Sequence, residues 1–593
     1  MSRDVARVRR NDYGVLTPPA LGAWTPELTV TVVIPAHDRQ ETLDLTLAAL
    51  AAQSYPAGLL DVIVVDDGST PPLRLPDLRP AATRLLPSAP GGWGRAWALQ
   101  TGIDAATGEV ILVLDADMVP HRAHVEAQAR WHHLAPYLVV LGWIDFTLGA
   151  DLPEPAEVRE ALDAGNEHKL FELSALRHDW AEKIIEEHDG LRTAPNALAA
   201  RVHVGATASY PAALLRAVGG LDTSLVLAED TELGYRLSQA GAVFVPDQEA
   251  RAWHLGLPTA MRDWAALKRY NDPFVADRVP HRRYLRVNQG RQWLVPYVEC
   301  VVDGEHAYED VRASVDALLA ASLPDVRVTV TGPWRELGAG RRSPLRDPDL
   351  DLRLIHATFE HDPRVRLAPP SETPPGEAPP SEAPPGETPP SEAPPGKAPP
   401  GEAPPGVPAP YRLTVPPGWM PGQETLRRLT EYLDEHDLGA LCVALAEESD
   451  GVVVARLERT AALSRAALVA GPDEHLDDVL HEVFGVEWVD GESWGFARRP
   501  KVYPPRRPPL TEVEQQALQH EKELTRLRRR AAALQAEMSQ LRREAGKAER
   551  DATRWREKAE AWRQEAVRLT REKERTVLKR AVRRVRDLTF PDQ

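Results

Sequence analysis

The stretch Val110-Ile-Leu-Val-Leu-Asp115-Ala-Asp117-Met-Val-Pro120 constrains the fold of this chain more than any other. Its apolar run has no polar alternation, the pattern of a strand buried on both faces, as in a parallel sheet. It stops at two carboxylates one small residue apart. Ligands of open α/β sheets bind beyond the carboxyl ends of the strands, so this pair lands where a site would form. Two hard-oxygen ligands at that spacing suit Mg²⁺ or Mn²⁺ brought in with a diphosphate. An isolated Asp-x-Asp also reads as a turn cap beside a solvated carboxylate, and the surrounding pattern has to decide.

That pattern is an alternation of strands and helices. Leu28 to Ile34 reads as a β-branched strand stopped by Pro35. Asp38, with Glu41 three residues on, has the spacing of a capping box for a helix running through Leu43 to Leu50. A second buried strand, Leu60 to Val65, runs into Asp66-Asp67-Gly68-Ser69-Thr70. Gly91-Gly92-Trp93-Gly94 then leads into a helix from about Arg95 to Ala106, and the Asp115 strand follows. Strand, helix, strand, then helix and strand, with acidic residues at the strand ends, predict an α/β, Rossmann-like sheet.

Val32-Val-Ile-Pro-Ala-His-Asp-Arg39, Val64-Val-Asp-Asp-Gly-Ser-Thr70 and Leu114-Asp-Ala-Asp117 resemble family-2 glycosyltransferases of the GT-A fold, as do Val218-Gly-Gly-Leu-Asp222 and Ala228-Glu-Asp-Thr-Glu-Leu-Gly-Tyr-Arg236. The resemblance covers residues 28 to about 256. It implies a nucleotide-sugar donor with Pro35, Ala36 and His37 lining the base and ribose pocket, and Arg39 beside them. Asp67 would accept the imide N–H of a uracil base, or else cap its turn. Gly92 and Gly94 would let backbone approach the phosphates, with Arg95 neutralising them. Where the family has an Arg-Asn pair this chain has Leu99-Gln100. Asp117 would be the principal ligand of Mn²⁺ or Mg²⁺, Asp115 would touch the ribose or the metal through water, and His254 would complete the metal site or serve structurally. Asp230 would be the general base, supported by Glu229 and Glu232; the plain alternative is an acidic helix start favoured by the macrodipole.

The rest of the chain divides by composition. Residues 1–25 read as an N-terminal tail, 26–290 as the GT-A domain, and 291–366 with 408–500 as a second, smaller α/β domain. In the latter, Val295 to Trp334 repeats the order of Val32 to Thr70 with Thr331-Gly-Pro-Trp in place of Asp66-Asp-Gly-Ser. Leu441-Cys-Val-Ala-Leu445 looks like the strand before a metal motif, followed by Ala446-Glu-Glu-Ser. This is expected to be a degenerate, metal-free copy. Residues 367–407 form a Pro-Pro-Gly/Ser-Glu repeat with no apolar face, expected as an extended spacer. Apolar residues at alternating steps of four and three predict an all-α coiled coil over 511–576, hence a homodimer or homotrimer. Residues 577–593 are basic and amphipathic, which reads as contact with a membrane surface or as a solvated helix end.

The formal net charge of −17 argues against a nucleic-acid partner. Two cysteines exclude a disulfide framework, and the polar first ten residues lack the apolar core of a signal peptide, so a cytoplasmic location, peripheral to a membrane at most, is expected. The expected function is transfer of a sugar from a UDP-sugar or similar donor to a hydroxyl of a cell-surface or lipid-linked glycan, with inversion implied by the resemblance. The alternatives are an inactive organiser of a polysaccharide-synthesis complex, and a nucleotidyltransferase.

Overall fold

The computed structural model describes residues 5–500 except 150, 288–290, 339, 341, 342, 345, 346, 371–406 and 450, together with 520, 523, 524, 527 and 530. The proline-rich run from 371 to 406, the basic tail and all but a few positions of the coiled-coil stretch lie outside the described residues. Residues 1–499 form one compact unit and 500–593 a second.

The first sheet is built from β1 (Val30–Ala36), β2 (Leu60–Asp66), β3 (Thr83–Pro87), β4 (Val110–Leu114), β5 (Met118–Pro120), β6 (Leu138–Thr147), β7 (Thr207–Pro211) and β8 (Val243–Leu255). Their order is β3-β2-β1-β4-β7-β6-β8-β5. β1, β2, β3 and β4 are mutually parallel, β7 is antiparallel to β4 and β6, and β6 runs parallel to β8. The uninterrupted apolar runs follow from burial on both faces. Val33, Ile63, Val65, Ile111 and Val113 point into one core, while Val32, Ile34, Val62, Val64, Leu112 and Leu114 point into another. The helix Arg95–Ala105 covers the first of these faces and the helix Gln40–Leu50 the second.

Gly102 lets the Arg95–Ala105 helix lie directly on the sheet, since a Cβ there would meet Val33 Cγ1 at 2.3 Å and Val65 Cγ2 at 3.1 Å. Gly102→Ala should therefore destabilise the protein by about 1–2 kcal/mol, overpacking outweighing the gain of about 1 kcal/mol in helix propensity. A lowered urea midpoint at unchanged slope is the expected readout; a raised midpoint would mean that the helix lifts freely.

One local expectation is corrected. The residue preceding the Gln40–Leu50 helix is Arg39, which makes no side-chain cap. Asp38 instead sits in the left-handed region (φ 50°), and its carboxylate accepts the Thr70 N–H at 2.8 Å, tying the β1 tip to the β2 tip. The N-terminal segment is packed: Val8 and Asn11 are fully buried, and the Asn11 amide bonds the carbonyls of Leu191 and Phe244.

A second sheet comprises β9 (Val298–Asp303), β10 (Val326–Thr331), β11 (Val365–Ala368), β12 (Tyr411–Thr414), β14 (Ala440–Glu448), β15 (Gly451–Arg459) and β16 (Val486–Asp490), in the order β11-β10-β9-β12-β15-β14-β16. β13 (Trp419–Pro421) pairs separately with β17 (Phe496–Arg498). Strand for strand this is the order β3-β2-β1-β4-β7-β6-β8, with each pair running in the same relative direction. The sequence joining β11 to β12 contains the proline-rich run, at the point where the first lobe has its glycine loop and the Arg95 helix.

Register makes the comparison specific. Val30 pairs with both Leu60 and Val110, and Val298 pairs with both Val326 and Tyr411. Counting from these anchors sets Asp115 against Pro416, Asp117 against Gly418, Asp66 against Gly332 and Asp67 against Pro333. The counterpart of the Asp115 strand is therefore β12, which corrects the assignment of Leu441 to Leu445; that segment lies in β14, the counterpart of β6. Cys300 and Cys442 are both free and buried.

Candidate functional site

The parallel register brings the tips of β1, β2 and β4 side by side. At the β1 tip, Pro35 and Ala36 end the strand, and the Ala36 carbonyl accepts the Asp67 N–H at 2.9 Å. His37 is exposed, its Nδ1 lying 3.0 Å from the Asp67 carbonyl, and Arg39 is exposed beside it. The Asp67 carboxylate pins the neighbouring loop: one oxygen accepts from Ser88 Oγ at 2.8 Å and the other from the Gly94 N–H at 2.7 Å.

The glycine loop has two kinds of glycine. Gly94 takes a left-handed φ of 97° with open space around it, and Trp93 next to it is 70% exposed. Gly92 is different, because a Cβ there would fall 2.1 Å from the Trp97 indole. Glycine is thus required at Gly92 by the close packing of that indole.

Arg95, the first residue of its helix, gathers the site. Its Nε and Nη2 donate to one oxygen of Asp115 at 2.9 and 2.8 Å, and Nη1 donates to Glu229 at 2.8 Å. Nη2 also reaches the Gly205 carbonyl at 2.6 Å. Burial pushes the Asp115 and Glu229 carboxyls up, and Arg95 opposes that shift in both. Arg95 was expected to neutralise phosphates; here its guanidinium is engaged by protein acids. Leu99 is a core residue, and Gln100 accepts the Leu221 N–H at 2.8 Å, holding the Gly219-Gly220 turn.

β5 lies antiparallel to β8 with Met118 opposite His254, so Asp117 and His254 come together, Oδ1 to Nε2 at 3.8 Å. His254 is thus part of β8 itself. Its Nδ1 is buried without a hydrogen-bond partner among the described residues. The Phe146 ring packs against both His254 and His178, with centroids 5.4 and 5.0 Å away. Burial, with His254 adding to it, pushes His178 down to about 4.

The helix Glu229–Gln239 enters through Ala228 in the left-handed region (φ 67°). Asp230 is half-buried, and its Oδ2 lies 3.4 Å from the Gly205 nitrogen. Its backbone carbonyl bonds His203 Nδ1 at 2.7 Å, while His203 Nε2 bonds the Tyr210 hydroxyl at 2.7 Å. Glu232 turns away and pairs with Arg236. Arg95 thus joins Asp115 to Glu229, with Asp230 next to Glu229 at the same helix start, and Asp117 faces His254 across the β5–β8 pair. His178 and His203 were missed: they sit in segments without a motif, and no local pattern marks either.

Among the described residues no group of three or more His, Cys, Asp and Glu forms a ready metal cage. Asp117 and His254 supply one oxygen and one nitrogen, and Arg95 occupies only Oδ1 of Asp115. That set fits a divalent ion whose shell is completed by the donor's phosphate oxygens, the usual habit of Mg²⁺.

The family model described as glycosyl transferase family 2 matches residues 31–159. Over these residues the chain is similar to family-2 glycosyltransferases. The family-2 match takes in Asp67, Arg95, Asp115 and Asp117 and stops short of Glu229, Asp230 and His254. The chain is 23% identical over 358 residues to chondroitin synthase of Pasteurella multocida (strain Pm70), covering 57% of this chain and 35% of that protein. It is 28% identical over 243 residues to the pre-mycofactocin glycosyltransferase of Mycobacterium tuberculosis (strain CDC 1551 / Oshkosh), covering 41% of this chain and 45% of the relative. The chain thus spans less than half the length of either. Among solved structures, the mannosyltransferase PcManGT of Pyrobaculum calidifontis, in complex with GDP-Man and Mn²⁺, is 17% identical at a TM-score of 0.27, over 44% of this chain and 67% of that one. No helix among the described residues is long and apolar enough to cross a membrane.

Proposed function

We propose that the chain transfers a sugar from a nucleoside-diphosphate donor, a UDP-sugar foremost, to a hydroxyl of a cell-surface or lipid-linked glycan. The observation that carries this reading is the tie made by Arg95, which joins Asp115 at a strand tip to Glu229 at the start of the helix that also bears Asp230, while Asp117, two residues beyond Asp115, faces His254. The family-2 match and the names of the two sugar-transferring relatives point the same way.

In this reading the base and ribose lie over Pro35, Ala36 and His37, and the diphosphate runs past Gly94 toward Asp117. Asp117 and His254 would hold Mn²⁺ or Mg²⁺, which offsets charge on the leaving diphosphate. Glu229 is committed to Arg95, which leaves Asp230 as the base. Asp230 takes the proton of the acceptor hydroxyl as its oxygen bonds the anomeric carbon. The bond to the diphosphate oxygen breaks on the opposite side, its electrons leave with the nucleoside diphosphate, and the configuration inverts. We read the second lobe as a degenerate copy: Pro416, Gly418, Gly332 and Pro333 stand where carboxylates would be needed, and the Trp334 indole lies over Gly304 and Gly332 at its strand tips.

The test is slow donor hydrolysis. Wild type should release nucleoside diphosphate from one of a panel of nucleotide sugars in Mn²⁺. Asp117→Ala should lose the Mn²⁺-dependent tightening of nucleoside-diphosphate binding, about tenfold or more by calorimetry. Silence with every common donor would favour the organiser of a polysaccharide-synthesis complex instead.

A further inference from the structure

The helix that carries Asp230 is held at both ends, and the two holds come from different lobes. At its start, Arg95 binds Glu229 and His203 binds the Asp230 carbonyl. Past its end, the Gly241 carbonyl accepts from Nε of Arg465, a residue of the second lobe's helix Thr460–Val469. Arg465 is fully buried and has no carboxylate partner among the described residues. Its Nη1 reaches the carbonyls of Val8 and Arg10, each at 3.2 Å, and its guanidinium lies 4.7 Å from the centre of the Tyr137 ring. A cation whose main partner is a carbonyl at a helix C-terminus complements the negative end of the macrodipole. Burial draws its pKa down to about 10, which leaves it charged at neutral pH.

The approach is close. Gly241 has φ 87°, and a Cβ on it would meet the Arg465 backbone nitrogen at 2.7 Å. A second tie lies within the helix, where the buried Tyr235 hydroxyl donates to the Pro408 carbonyl at 2.7 Å, at the entry to β12. A lobe with Pro416 and Gly418 at the positions of Asp115 and Asp117 thus grips the far end of the helix bearing the other lobe's proposed base.

We propose that Arg465 is a positioning residue for sugar transfer: it fixes the far end of the Glu229–Gln239 helix and, through it, where the Asp230 carboxylate stands. The proposal rests on the reading of Asp230 as base. The donor contacts lie on other elements, so loss of this brace should lower turnover and spare donor binding.

The experiment uses the full chain with Arg465→Met, Arg465→Lys and Tyr235→Phe. For Arg465→Met, kcat of donor hydrolysis should fall at least tenfold while the Kd for nucleoside diphosphate stays within twofold. Amide hydrogen exchange across residues 229–239 should accelerate at least tenfold. Lysine should restore most of the protection and turnover, and Tyr235→Phe should show the same split at two- to fivefold. A folded Arg465→Met with unchanged kcat and exchange overturns the proposal, as does an equal fall in kcat and affinity. Should Arg465→Met not fold, unchanged kcat and exchange in both other variants overturns it. If wild type turns over no donor, the transferase reading fails, and exchange alone still decides whether Arg465 braces the helix.

Discussion

Asp230→Asn should lower kcat by about 10²–10⁴, the range that a positioned general base contributes, with nucleoside-diphosphate affinity unchanged. The substitution is conservative here. Asp230 Oδ1 accepts from the Thr231 N–H at 2.6 Å and Oδ2 faces Gly205 N at 3.4 Å; the amide oxygen of asparagine keeps the shorter bond and gives up the long one. What asparagine loses besides that long contact is the capacity to take a proton. Glu229→Gln should behave differently, because Glu229 is a partner of Arg95: its loss unbalances a buried charge, so stability should fall together with activity. If Asp230→Asn keeps more than a tenth of wild-type turnover, Asp230 is not the base and the assignment falls.

A second large effect is expected from acid. His124 and His132 are buried and neutral, and burial pushes their pKa values down to about 4 and about 3. Each is held in the core by short bonds, His124 Nε2 to Thr207 Oγ1 and His132 Nε2 to Ser209 Oγ, both at 2.7 Å. In the unfolded chain they titrate near 6.5. The unfolded state therefore binds more protons as pH falls. The stability they confer is fully present above about 6.5 and drains away on the way to their folded values. At pH 5 the linkage is about 2 kcal/mol for each histidine, on the order of 4 kcal/mol together. Urea midpoints at pH 7.5 and pH 5 read this directly. Asp115 and Glu229, raised by burial, act in the opposite sense, so the deciding comparison is with His132→Gln, which should flatten the profile. Equal pH slopes for the two proteins would refute the histidine account.

Much of the first sheet was legible because its signal is local. Runs such as Val62 to Val65 are apolar at every position because both faces are covered, and no other simple pattern yields that. β8 was harder. Its apolar run Ala242 to Val245 stops at Pro246, and nothing local continues it. Pro246 and Asp247 still pair with Leu141 and Gly142; the register shift then skips Gln248, Glu249 and Ala250, and pairing resumes from Arg251 to Leu255. The role of Arg95 was not legible, because Gly205 and Glu229 lie more than a hundred positions away and only the sheet crossing brings them near. The same limit hid His203. In the second lobe the misplacement had a simple cause: Leu441-Cys-Val-Ala-Leu445 is more apolar than Tyr411-Arg-Leu-Thr414, so hydrophobicity picked the wrong strand, and only pairing to β9 identifies the right one.

The position of the proline-rich run carries a further consequence. Both lobes thread their sheets alike, and in each the link from the third strand to the fourth is made by one segment: glycine loop and Arg95 helix in the first, the Pro-Glu repeat in the second. The strands flanking that link hold their places by pairing with β10, β9 and β15, none of which lies within it. The link is therefore an exchangeable cassette. It differs in length and chemistry between the lobes while the framework keeps its order, and what fills it decides whether a lobe of this topology carries a guanidinium that can tie a strand-tip carboxylate to a distant helix.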